Sequence, residues 1–276
     1  WEMVLRPTLA DYKGDAWFLS TPKGFNYFKT LYDRGQDENQ PEWASWTLPK
    51  YSNPYIAPAE IEAARLVLPE DIFAQEFLAA FLSDATTVFR RLLIAAVLKP
   101  SERVDKHQYV IGCDWGKVSD FSVFSVMDAT DKKQVYLDRS NKIDYLVQVR
   151  RLKALCERYK PSLIICEKNS MGQAIVEWVQ RMSLPVYAWT ATQGTKQRVI
   201  EDLILAFEQE QIKILDDRTQ LAELQAFRSD KLPSGMLRYS APSGAHDDTV
   251  IALALAWQAS KNPERGKIRS FNFRWE

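Results

Sequence analysis

Three short stretches place carboxylates where divalent-metal chemistry on phosphodiesters would use them. In YVIGCDWGKVSDFSVFSVMD, Asp114 ends an apolar run and Asp120 lies past the turn at Gly116. In PSLIICEKNS, Glu167 ends a second apolar run, and in SGAHDDTVIALALAW, Asp247 and Asp248 open a helix. Each residue alone has a plain structural reading. Aspartate before a first helical turn is a common, stabilising cap. Asp114 can serve a turn, Asp120 can cap one, and Glu167 can be a solvated strand end. Gathered at one point they repel one another unless cations lie between them. An all-oxygen ligand set suits Mg²⁺ or Mn²⁺, and a pair of such ions is a known device for cutting phosphodiesters. Asp247 and Asp248 are equivalent candidates at this level, and Asp120 is either a ligand to a second ion or a turn residue.

The elements that must position these groups are legible from periodicity. Residues 109–114, 121–128 and 133–138 alternate apolar and polar side chains and read as three consecutive strands. Residues 144–159 carry Leu146, Val149, Leu152, Leu155 and Tyr159 at helical spacing, with Arg150, Arg151 and Lys153 outward. The expected order continues as strand 163–167, helix 171–182, strand 185–189, helix 196–210, strand 211–215 and helix 217–227. A hairpin around Pro233–Gly235 and a helix from His246 to about Ala259 complete it. Three meander strands followed by alternating helix and strand give an α/β, ribonuclease H-like mixed sheet flanked by helices. In that fold the first and fourth strands are neighbours, so Asp114 and Glu167 emerge at one edge and the last helix brings Asp247 and Asp248 to it.

Before this region the chain is of another kind. Residues 16–20 read as a strand, with a turn at Pro22–Gly24 and a helix from about Phe25. Pro and Asn crowd residues 41–58, and two short helices start at Pro58 and Pro69. The expected division is therefore residues 1–81, a connector at 82–107, the strand-rich domain at 108–262, and a basic, aromatic tail at 263–276. RRLLIAAVLK in the connector could form a short helix. The chain begins at Trp1 rather than Met, which reads as a processed product or a piece of a longer protein.

Composition narrows the classes. The chain has 276 residues, 36 basic and 36 acidic, so net charge does not point to a nucleic-acid partner; an acidic site can offset basic residues elsewhere. Cys113, Cys156 and Cys166 lack CxxC spacing and, with two histidines, argue against structural zinc. Cys113 and Cys166, inside apolar runs, read as buried thiols of a reducing compartment, and no run is long enough for a membrane span. Lys196 and Arg198, expected to open a helix after WTATQGT, are candidates for DNA phosphates, as are Lys231 and Arg238 on the hairpin. His246 could orient a water or a carboxylate, or be an ordinary surface histidine.

At these residues the chain resembles the large terminase subunit of tailed bacteriophages. IGCDWG…DFSVF, LIICEKNSMG and GAHDDTVIALALAW resemble the three acidic motifs of its C-terminal nuclease domain, in order and spacing. WEMVLRPTLADYKGDAWFLSTPKGFNYFKTLY resembles the end of its ATPase domain, with Ser20, Thr21 and Pro22 matching the coupling motif. No GxxxxGK[ST] phosphate loop and no Walker B pair is present, so ATP hydrolysis by this chain alone is not expected. The resemblance implies a divalent-metal-dependent endodeoxyribonuclease that cuts concatemeric viral double-stranded DNA during genome packaging. It implies two ions held by Asp114, Glu167 and Asp248 or Asp247. It also implies portal protein and small terminase subunit as partners, a host-cytoplasmic location and a monomeric isolated chain. The alternatives are a non-catalytic DNA- or portal-docking module and an actin-like or sugar-kinase-fold ATP-binding protein.

Overall fold

The structure is a computed structural model that describes residues 6–10, 14–22, 27–82, 88–116, 121–168, 178–232, 237–242 and 244–264. It divides into two compact units, Trp1–Asp84 and Ala85–Glu276. In the first unit the helices are α1 (Pro7–Ala10), α2 (Tyr27–Arg34), α3 (Pro58–Val67) and α4 (Glu70–Phe77). As the sequence predicts, proline stands at the start of α3 and caps α4. α3 buries Ile61 and α4 buries Phe73. Ser45 Oγ donates to the Tyr32 carbonyl at 2.7 Å and ties the irregular segment to α2. Residues 16–20, expected as a strand, form no regular element. Among the described residues no strand pairs with them, so there is no ladder to hold an extended conformation. They lead to Ser20 and Thr21, which are exposed and half-buried, and to a buried Pro22.

The second unit opens with α5 (Leu92–Ala95) and β1 (Ala96–Leu98). This segment, expected within the connector, is built into the domain. Phe89, Leu92 and Ala95 are buried, and β1 pairs in parallel with β7 (Ile214–Leu215). The central sheet comprises β2 (Tyr109–Asp114), β3 (Ser122–Asp128), β4 (Lys133–Ser140), β5 (Leu163–Glu167) and β6 (Val186–Trp189), in the order β4-β3-β2-β5-β6. β2, β3 and β4 form an antiparallel meander, whereas β2–β5 and β5–β6 are parallel. This is the predicted arrangement, with the first and fourth of its strands side by side.

Each face of the sheet carries its own core. Tyr109, Ile111 and Cys113 of β2 and Ile164 and Cys166 of β5 pack against Val149, Leu152 and Tyr159 of α6 (Tyr145–Tyr159). All three cysteines are free and buried, and burial pushes the Cys156 thiol up to about 12. On α6 one expectation fails: Leu146 is exposed, while Gln148 is buried and hydrogen-bonded. The opposite face carries Val110, Leu163 and Ile165, packed by α7 (Gln193–Glu208), α8 (Arg218–Ala226) and α9 (Asp248–Lys261). α9 is apolar nearly all round because it is enclosed nearly all round. Its approach to the sheet depends on Gly112. A Cβ there would lie 2.1 Å from the Ala252 carbonyl oxygen and 2.3 Å from the Ala256 nitrogen. The hairpin predicted near Pro233–Gly235 forms as β8 (Arg228–Lys231) and β9 (Leu237–Ser240). Asp120, most of the 171–182 helix and the tail from residue 265 lie outside the described residues.

Candidate active site

The register of the two parallel strands fixes the first pair of carboxylates. Cys113 is aligned with Cys166, so Asp114 and Glu167 are the next residues on adjacent strands. Gly112 and Ile165 precede those cysteines on the alternate face, which is the face covered by α9. Side chains alternate along a strand, so Asp114 and Glu167 share that face. α9 runs over Gly112, and its N-terminal residues Asp247 and Asp248 arrive at the same edge.

The electrostatics follow from this convergence. The Asp114 carboxyl is held well above the usual carboxylate range, first by burial, then by the charges of Glu167, Asp248 and Asp247; Lys196 acts in the opposite direction. Glu167 is also raised, chiefly by burial, with Lys196 opposing and Asp247 adding to the shift. Lys196 Nζ donates to Asp247 Oδ2 at 2.9 Å. Four carboxylates and one ammonium therefore share a partly dehydrated sheet edge. That donor set fits divalent cations: it is all oxygen, it carries excess negative charge, and two members are pushed toward protonation by burial and by neighbouring carboxylates.

The supporting hydrogen bonds are specific. Two residues after Asp114, the Gly116 N–H donates to Ser122 Oγ at 2.9 Å. Ser122 Oγ donates in turn to Gln148 Oε1 at 2.6 Å, and Gln148 Nε2 reaches the Ile143 carbonyl at 3.0 Å. On the helix side, the N–H and hydroxyl of Thr249 donate to Glu223 Oε2 at 2.9 and 2.6 Å. Arg139 donates to Glu223 Oε1 at 3.1 Å and stacks on Phe121, 3.3 Å from the ring centroid. Phe121 meets His246 edge-on at 5.1 Å, and His246 Nδ1 lies 3.5 Å from Asp248 Oδ2. Gln148, Arg139 and Glu223 carry no motif signal, and Ser122 lies in DFSVF without being one of its acidic residues; only the tertiary structure singles them out.

The basic candidates separate. α7 begins at Gln193, three residues earlier than expected, so Lys196 and Arg198 do not open it. The physical reason is a capping box: Thr195 N–H donates to Thr192 Oγ1 at 3.2 Å, and Thr192 N–H donates to Thr195 Oγ1 at 2.8 Å. Lys196 projects to the carboxylates one turn in, whereas Arg198 is exposed. Arg238 crosses the hairpin to Asp230 at 3.1 Å and remains more than half exposed. Lys231 lies on β8 opposite Leu237; its side chain is outside the described part.

A tighter acidic group exists elsewhere. Among the described residues, His107, Asp128 and Asp131 bring ligand atoms within 4.8 Å of one another. Asp128 pairs with His107 at 2.6 Å and accepts from the N–H groups of Thr130 and Asp131, while Lys133 pairs with Asp131 at 2.8 Å.

Comparison with known proteins converges on one family. The family described as the terminase RNaseH-like domain matches residues 111–259. The large terminase subunit of Thermus virus P23-45 is 32% identical over 290 residues, covering 93% of this chain. The chain spans 58% of that relative's length. The crystal structure of the large terminase nuclease from thermophilic phage G20c with bound magnesium is 32% identical. It covers 63% of this chain and 97% of that one, with a TM-score of 0.59. The same nuclease with bound cobalt is 31% identical over the same shares, again with a TM-score of 0.59.

Proposed function

The chain belongs to the terminase large subunit family, and from that premise we propose that residues 108–262 are its metal-dependent endodeoxyribonuclease. The substrate is viral double-stranded DNA in concatemeric form, cut during genome packaging. The observation that carries this reading is the convergence of Asp114 and Glu167, on adjacent parallel strands, with Asp247 and Asp248 at the start of α9. Relatives crystallised with magnesium and cobalt support divalent ions as cofactors. We assign two Mg²⁺ or Mn²⁺ ions to the site.

When bound, such ions activate water and stabilise the leaving oxygen of a phosphodiester. Asp114 feels the charges of Glu167 and of both α9 carboxylates and is the residue suited to serve both ions. Glu167 would hold one ion and Asp248 the other. Asp247, bound to Lys196, is the alternative ligand from the same helix turn. Lys196 supplies positive charge at the cluster and, with Arg198, lies where backbone phosphates would pass; Lys231 and Arg238 on the hairpin extend that track. Phosphate contacts of this kind position DNA without reading its sequence. Asp120, outside the described residues, remains a proposed further ligand.

Residues 1–81 are assigned to the C-terminal part of an ATPase domain, with Ser20, Thr21 and Pro22 as its coupling motif. Without a phosphate loop, this chain alone is expected to show no ATP hydrolysis in a DNA-stimulated phosphate-release assay. Portal protein and small terminase subunit are the proposed partners, with the host cytoplasm as the location. Among the described residues no helix is long and apolar enough to cross a membrane.

The test is plasmid nicking with Mn²⁺, Mg²⁺, Ca²⁺ or EDTA. Cleavage with Mn²⁺ or Mg²⁺, and none with EDTA, is expected. Cleavage undiminished by EDTA would remove the metal from the mechanism.

A further inference from the structure

An aspartate at the N-cap of a helix ordinarily turns its carboxylate back on the N–H groups of the second or third helical residue. Asp247 occupies the N-cap of α9, yet its side chain makes no capping hydrogen bond. It is directed to Lys196 instead. The second residue of the helix is Thr249, and its N–H is not left wanting. Glu223, from α8, accepts it at 2.9 Å and accepts the Thr249 hydroxyl at 2.6 Å with the same oxygen. This carboxylate is buried, only 6% exposed, and its other oxygen accepts from Arg139.

We propose that Glu223 is a positioning residue: it caps α9 in place of Asp247 and so releases the Asp247 carboxylate to face the metal-binding cluster. The inference rests on the metal-site reading above. Its logic is one of competition. A helix N-terminus provides more N–H groups than it can satisfy internally, and the nearest carboxylate ordinarily takes one of them. A carboxylate engaged in that way spends lone pairs and charge on the amide. By filling the amide from behind, Glu223 removes the local competitor for Asp247.

The surroundings hold Glu223 in this role. One turn earlier on α8, the amide of Gln220 pairs reciprocally with that of Gln134, both bonds at 2.8 Å, which fixes α8 to the sheet. Gln134 also donates to Ser125 Oγ at 3.0 Å on β3. Arg139, which completes Glu223, is on β4, so the cap is referenced to the same sheet that carries Asp114. The arrangement makes the α9 end of the cluster depend on a residue that touches no reacting atom.

The experiment is Mn²⁺ binding to the whole chain, measured by calorimetry and by the loss of the free-ion electron paramagnetic resonance signal. Glu223→Ala is expected to weaken Mn²⁺ by about 10- to 100-fold, the range for residues that orient metal ligands. Because the loss runs through Asp247, it has to disappear when Glu223→Ala is placed in an Asp247→Ala background. Glu223→Gln retains the shape and one acceptor and is expected to lose less. It carries the same comparison if the alanine variant does not fold. A folded Glu223 variant with wild-type Mn²⁺ affinity overturns the proposal, as does a loss equally large with and without Asp247. Asp114→Ala is the control: if it also binds Mn²⁺ like wild type, the metal-site reading itself falls, and this inference with it.

Discussion

Two acidic clusters sit at opposite ends of the β2–β3 hairpin, and they are built on opposite principles. At one end Asp128, aligned with Tyr109, joins Asp131 and His107 in a group whose ligand atoms are close together. Its carboxylates are consumed locally by two turn amides, a histidine and Lys133. At the other end Asp114, aligned with Val123, faces Glu167, Asp247 and Asp248. There burial, and then the neighbouring carboxylates, raise the affinity of Asp114 for protons, and among the charges acting on it one lysine opposes them. Proximity alone would favour the Asp128 group as a cation site; the two ends differ in how far local donors meet their carboxylates. The property on which the proposed assignment rests is an excess of carboxylates over cations at the Asp114 end, where the neighbouring helix amide is satisfied by Glu223 instead.

The sharpest way to break this comparison is to remove one aspartate from each end. Asp114→Ala is expected to bring plasmid cleavage with Mn²⁺ to background while the domain stays folded. Asp128→Ala is expected to leave cleavage unchanged and to lower unfolding free energy by about 1–3 kcal/mol, for the turn amides it leaves unpaired. If Asp128→Ala abolishes cleavage in a folded protein, the roles of the two clusters have been exchanged.

Gly112→Ala tests the link between core packing and the site. The added methyl meets backbone of α9, which cannot give way as a side-chain tip can. Overpacking of this kind costs about 1–3 kcal/mol or more. Because the shift is borne by the helix that carries Asp247 and Asp248, Mn²⁺ affinity should fall as well. Urea denaturation paired with Mn²⁺ titration checks both, and a stable variant with unchanged affinity would separate the packing from the site.

A smaller effect concerns pH. Asp114 and Glu167 titrate higher in the folded chain than when unfolded, so the folded state holds more protons above the ordinary carboxylate range. Their contribution to stability is therefore full below about pH 4 and is lost as pH rises through the raised folded values. In EDTA, Asp114→Asn should gain stability relative to wild type as pH rises toward neutrality, and excess Mn²⁺ should narrow that gap. Denaturation midpoints at a series of pH values measure it; parallel curves for the two proteins would refute it.

The smallest expected effect is on DNA binding. Replacing Lys196 and Arg198 by alanine should weaken binding about equally across sequences and flatten the salt dependence, by a slope of about 1 for each phosphate no longer neutralised. Titration in Ca²⁺ reads the slope. An unchanged slope would confine Lys196 to its pairing with Asp247 and move the DNA track to the β8–β9 hairpin.

Much of this molecule is open to reading from the chain alone, for a definite reason. Asp114 and Glu167 end apolar runs, strands alternate, and a meander followed by helix–strand alternation admits few topologies. The α/β architecture and the acidic site candidates follow from local pattern; that the first and fourth strands meet follows from the ribonuclease H-like order those elements match. Local pattern misjudges residues 16–20, because a strand requires a partner that sequence does not display. It places the start of α7 at Lys196, whereas the capping box of Thr192 and Thr195, both plain in the sequence, starts the helix earlier. Gly112 gives no local sign of the helix that crosses it. Glu223, Arg139 and Gln148 look like surface residues of amphipathic segments. Glu223 and its partner Arg139 become structural only when α9 comes down on the sheet and its first amides need acceptors; Gln148 does so on the other face, where α6 meets Ser122. Which carboxylates could meet is written in the order of the elements. Which of them are left with their charge unspent is settled by packing in three dimensions, because that depends on the donors that arrive from distant parts of the chain.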